Sequence, residues 1–243
     1  TSDRMKSCLS GILFLLLWLS APALRAQEEF IEPPSKHLAT VPFTQLTGGV
    51  IILHALLDDH PDTLNFILDT GSSGISLDSA TAEYLGLKPV PTERTIRGIA
   101  GIRKVNFLYD RRLHFPGLTI EGLDFHINDY DILTTVYGER IDGIIGYSVI
   151  NRYIMKINYD SMKLEFHTKV SIRYPKNGYL LKPSISQLVS QPMRVRDEKA
   201  IYSRFLFDLG AGLCLLLSKE FAEDSAFISK KRKRFIKEGE GLG

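Results

Sequence analysis

Cysteine is nearly absent from this chain: its 243 residues hold two, Cys8 and Cys214. Cys8 precedes an N-terminal apolar stretch that reads as a leader, so a processed chain keeps Cys214 alone and an internal disulfide is excluded. An excess of one charge is also missing. The 30 Lys and Arg stand against 28 Asp and Glu, a net charge of +2, which gives no footprint for nucleic acid or another strongly charged partner. The histidines at 37, 54, 60, 114, 126 and 167 show no paired metal-ligand spacing, so neither a metal nor another cofactor is expected. Gly210-Ala-Gly212 lacks the third glycine and following helix of a dinucleotide site, and Gly71-Ser-Ser-Gly74 is not a serine-nucleophile elbow. The one notable charge run, Lys230-Lys-Arg-Lys-Arg234, suits the solvated C-terminal end of a helix beginning near Ser218.

Apolar runs long enough to span a bilayer, ~20 residues, are lacking too. The run Gly11-Ile-Leu-Phe-Leu-Leu-Leu-Trp-Leu19 is shorter; a basic Met5-Lys6 precedes it and Ala21-Pro-Ala-Leu-Arg-Ala26 follows. That order is a secretory signal pattern. It implies export to a periplasm or the extracellular space, with cleavage after Ala26 and no membrane association beyond the leader; an uncleaved anchor is the alternative. Thr1–Arg4 precede the plausible initiator Met5. Residues 27–40, with Glu32-Pro-Pro-Ser35, read as an extended lead-in.

From Val41 the pattern is one of short strands. Val50–Leu57, a turn at Asp58-Asp-His-Pro-Asp62, and Thr63–Leu68 form an expected hairpin. Ser79–Leu87 reads as a short helix capped by Asp78 or Ser79, with Gly86 near its end. Residues 95–133 read as strand and turn: a glycine hairpin at Gly98-Ile-Ala-Gly101, then Val105–Tyr109, a turn at His114–Gly117, Leu118–Ile120 and Leu123–Ile127. Ile154–Tyr159 and Met162–Phe166 alternate cleanly around Asp160-Ser161 as a second hairpin. Many short strands and few helices imply an all-β, barrel-like architecture.

Within that pattern Phe66-Ile-Leu-Asp-Thr-Gly-Ser-Ser-Gly-Ile-Ser-Leu-Asp78 stands out. Apolar strands enter and leave an acidic turn, holding the Asp69 carboxylate half shielded from water. Such a group is costly to keep charged, so it is either well hydrogen-bonded or poised for acid–base chemistry. A small domain's length further on, Phe205-Leu-Phe-Asp-Leu-Gly210 repeats the context around Asp208. The repetition suggests a duplicated unit giving one carboxylate per copy; an ordinary turn aspartate is the competing reading at each position.

These residues resemble the pepsin and retropepsin class of aspartic proteases, and more narrowly bacterial exported aspartyl-protease-family proteins, which often carry a following PDZ domain. Besides the Asp69-Thr-Gly71 turn, the likeness rests on Ile141-Asp-Gly-Ile-Ile-Gly146 with Tyr147–Tyr153, and on the Gly98–Gly101 hairpin, where the family has its substrate-covering flap. The resemblance covers roughly residues 40–243. It implies acid-protease β-barrel lobes: a complete first lobe over 41–170, a connection over 171–190, and a second lobe begun at 191–243. Gly239–Gly243 would start a second flap, so the second lobe is expected to be truncated.

By the resemblance, Asp69 and Asp208 are catalytic, Thr70, Gly71 and Gly210 form the turn clasp, and Gly98, Ile99, Ala100 and Gly101 cover an extended peptide substrate. Leu209 replaces the threonine expected in the second turn and removes half of a reciprocal hydrogen-bonded clasp. Three functional readings follow. The two lobes pair as a pseudo-dimer and cleave peptides as an endopeptidase, the same fold binds peptides without cleaving them, or two chains dimerise and use Asp69 twice.

Overall fold

The computed structural model describes residues 33–98, 101–174, 176–197 and 199–227, with Lys233 and Phe235. The expected leader, Ile99 and Ala100 at the hairpin tip, most of the 230–234 charge run and the glycine run at 239–243 lie outside the described residues. By its contacts the chain divides after Pro33; the elements below belong to the second unit.

The β-branched and apolar runs become the strands β1 (His37–Gln45), β2 (Ile51–Leu57), β3 (Thr63–Leu68), β4 (Ile75–Asp78), β5 (Thr95–Gly98), β6 (Gly101–Lys104), β7 (Phe107–Phe115), β8 (Leu118–Asn128), β9 (Gly143–Ile145), β10 (Tyr153–Asn158) and β11 (Lys163–Thr168). Short helices α1 (Ser79–Tyr84), α2 (Asp131–Tyr137) and α3 (Tyr147–Ile150) interrupt them. β12 (Ser184–Ile185), β13 (Val189–Arg196), β14 (Ala200–Leu206) and α4 (Lys219–Asp224) follow.

The main sheet runs β10-β11-β1-β2-β3-β9-β4-β8-β7, and β7 pairs back onto β2. The six strands from β2 to β7 therefore close into a barrel, the all-β architecture expected of an acid-protease fold. β2 shows why closure suits this sequence. Val50 to Leu53 are all buried, which an alternating strand would not allow. Val50 and Ile52 pack in one apolar cluster with Ile67, Tyr130, Ile141 and Ile144, while Ile51 and Leu53 face the larger one with Phe66, Phe125 and Phe166. Both faces of this strand are interior.

β9 is the element that shapes the site. It runs parallel to β3 and antiparallel to β4, so it threads between the two arms of the Asp69 turn. Asp69 N donates to Ile145 O (2.9 Å) and Tyr147 N to Ser72 O (2.8 Å), which ties the turn down at both ends. Side chains could not stand here. A Cβ on Gly143 would lie 2.7 Å from the Phe66 ring, and one on Gly146 would strike the Ser72 and Gly74 backbone.

Several elements differ from the sequence expectation. The sequence reads as strand and turn up to Leu133, whereas α2 forms from Asp131; its seven residues, about two turns, carry no clear helical stripe. β7 runs on to Phe115, so the turn narrows to Pro116-Gly117, with Gly117 at φ +79°. β8 is one strand where two were expected; Gly122 takes φ +63° inside it and its pairing with β7 shifts register nearby. β12 and the start of β13 fall inside the expected connection at 171–190.

Candidate active site

Asp69 leaves the end of β3, and Asp208 follows β14 after Phe207. Each aspartate caps its own turn. Gly71 N donates to Asp69 Oδ1 (2.6 Å); Gly210 N and Ala211 N donate to Asp208 Oδ1 (2.8 and 3.0 Å). This is the Asx-type turn that short acidic side chains favour.

The two turns meet. A Cβ on Gly71 would lie 2.6 Å from Asp208 Cγ, and a Cβ on Gly210 would lie 2.5 Å from Asp69 Cγ. Each carboxylate thus sits over the other turn's glycine, and only residues without a side chain permit the approach. Thr70 Oγ1 locks the pair by donating to Phe207 O (2.5 Å) while accepting from Leu209 N (3.0 Å). The reciprocal hydroxyl is missing because Leu209 has none, so Thr70 carries both cross-turn hydrogen bonds.

Electrostatics follow from this packing. Burial, then the charge of Asp208 and a hydrogen bond with it, raise the Asp69 pKa from 3.8 to about 7, against the backbone N–H groups of Gly71 and Gly210. Two close carboxylates cannot readily both ionise, so they share a proton. The aspartic-protease dyad is the standard case of this behaviour. The pair can accordingly offer one acid and one base to the same small volume.

Sequence reasoning missed the surroundings. Tyr137, at the end of α2, has its phenol raised by burial and then by Asp208 and Asp69, so it lies within electrostatic reach of both aspartates. Its hydroxyl also sits 3.1 Å from where a Gly212 Cβ would be. Tyr130 is buried and shares a hydrogen bond with Ser76 Oγ (2.6 Å); burial above all pushes its pKa up to about 12. Neither tyrosine stands in a motif, and only the chain's folding back brings them to the turns. The hairpin bearing Gly98 and Gly101 forms as β5–β6, with those glycines paired across its tip. Among the described residues no cluster of His, Cys, Asp or Glu could hold a metal.

Part of the chain is similar to known proteins. The profile of the family described as aspartyl protease matches residues 54–149, from the middle of β2 through β9 and into α3. Over residues 54–149 this chain is similar to the aspartyl protease family. The matched segment contains Asp69, Thr70, Gly71, the β5–β6 hairpin and the β9 glycines, while the Asp208 turn lies beyond it. A retropepsin-like aspartic protease from Rickettsia conorii is similar at 17% identity over 58% of this chain and 98% of its own, with a TM-score of 0.39. No curated protein matches the sequence.

Proposed function

We propose that the protein is an aspartic-type endopeptidase in which Asp69 and Asp208 together activate one water molecule. The observation that carries this reading is the mutual approach of the two turns, each carboxylate over the other's glycine. Asp69 holds its proton up to about pH 7 and serves as the acid, hydrogen-bonding the scissile carbonyl oxygen. Asp208, the more exposed of the two, takes a proton from the water as it attacks the carbonyl carbon. The tetrahedral intermediate then collapses with proton delivery to the leaving amine. The β5–β6 hairpin covers the substrate, which lies as an extended strand, with backbone hydrogen bonds giving affinity and side-chain pockets giving preference. The leader pattern at residues 5–26 supports action outside the cytoplasm.

Asp69→Asn removes the acid and should lower peptide cleavage by about 10²–10⁴-fold, the usual share of general acid–base catalysis. Cleavage of a mixed peptide library at mildly acidic pH reads this directly, and unchanged turnover would remove Asp69 from the mechanism. The rate of the unmodified protein should fall as pH rises through about 7, because Asp69 then loses the proton it donates.

A second reading, a peptide-binding module that does not cleave, is favoured by Leu209, which leaves the clasp one-sided. Such a module would retain peptide binding while showing no turnover at any pH.

A further inference from the structure

Arg103 lies on β6, the second strand of the hairpin, and is partly buried. Its Nε and Nη2 are both shut off from solvent and find no hydrogen-bond partner among the described residues. These two N–H groups form one edge of the guanidinium fork, the edge that grips a carboxylate through two parallel hydrogen bonds. A buried guanidinium edge left empty costs more than an ordinary lost hydrogen bond.

No carboxylate of the described residues fills that edge. Arg103 lines a groove of about 200 Å³ with Asn128 and Asp129. Asp129 accepts from Asp131 N through Oδ1 (3.0 Å), and no ion pair joins Arg103 to it or to another carboxylate among the described residues. The neighbouring cation Lys104 is already paired with Glu93. His126 feels the Arg103 charge but is held neutral, mainly by burial. The groove is tied to the dyad's turn, because Asn128 and Asp129 lead into Tyr130, whose hydroxyl shares a hydrogen bond with Ser76 Oγ (2.6 Å) on β4, the strand that leaves the Asp69 turn. Finally, among the described residues β5 and β6 pair only with each other. A lone two-stranded hairpin is marginally stable, so it can lift to admit a side chain and close over it.

We propose that Arg103 is a specificity-determining residue that selects a peptide bearing an acidic side chain next to the bond held at the dyad. The proposal rests on the peptide-directed reading above, but it is tested separately from cleavage. Two fluorescent peptide libraries, identical except for Glu or Gln at each position in turn, are compared for binding by anisotropy and for cleavage. The protein should favour Glu at one position by about tenfold or more, the scale of a charge-assisted bidentate contact. Arg103→Gln should reduce that ratio to about one, and Arg103→Lys, which keeps the charge but not the fork, should leave an intermediate ratio. Equal handling of Glu and Gln by the unmodified protein, or a preference that persists in Arg103→Gln, overturns the proposal. A Glu preference in binding that depends on Arg103, with no cleavage of either library, would retain the subsite and refute the peptidase reading.

Discussion

At the scale of single residues, Asp69 stores a cost that the fold bears for its site. In the unfolded chain its carboxyl ionises near 3.8, whereas in the fold it keeps its proton to about 7. Below the lower value both states are protonated and the group contributes no difference. Between about pH 4 and 7 only the unfolded state releases the proton, so folding stability falls across that window and stays reduced above it. Asp69→Asn removes the ionisation. The variant should therefore exceed the unmodified protein in stability at pH 8 by on the order of 2–4 kcal/mol, and by little at pH 4.5. Urea unfolding at the two pH values measures this, and an equal offset at both would contradict burial as the source. Thr70 and Asp69 were legible in the sequence because a motif of consecutive residues makes their turn. Tyr137 and Arg103 were not, since no local pattern marks a side chain whose neighbours come from distant strands.

At the scale of elements, β9 depends on a buried carboxylate just before it. Asp142 is 1% exposed and accepts from Arg140 Nε (2.6 Å), Thr81 Oγ1 (2.7 Å) and Asn65 N (2.8 Å). It thereby joins the entry of β9 to β3 and α1. Asp78 continues the network, capping α1 through Thr81 N (3.0 Å) and accepting from Tyr130 N (3.0 Å). Asp142→Ala would leave the Asn65 amide unsatisfied and Thr81 Oγ1 with only its longer hydrogen bond to Asp78 Oδ2 (3.3 Å), and should cost about 3 kcal/mol of stability. Chemical denaturation would show it as a lower midpoint; a loss below about 0.5 kcal/mol, the range of ordinary surface changes, would mean water replaces the carboxylate. The helix cap was readable at Asp78, because an acidic residue before a helix is a local signal. The Asp142 network was not, for Thr81 and Asn65 lie in two separate elements, α1 and β3, far from it in the chain.

At the scale of the whole molecule, the decisive feature is that one chain supplies both aspartates. In the proposed endopeptidase the Asp208 turn, which lies against Asp69, takes the role that a second chain's Asp69 has in the dimeric reading. Asp208→Asn alone should consequently abolish cleavage as fully as Asp69→Asn does; retained activity in Asp208→Asn would point to a site built from two chains. The sequence by itself determined the strand-rich architecture, the acidic turn with its glycine, the glycine strand and the hairpin, because each rests on neighbouring residues and on alternation with a period of two. Only the tertiary structure decided which aspartate faces which glycine, that one threonine holds both turns, and where an unpaired guanidinium lies. Those contacts join residues far apart along the chain, and their geometry exists only once the barrel has closed.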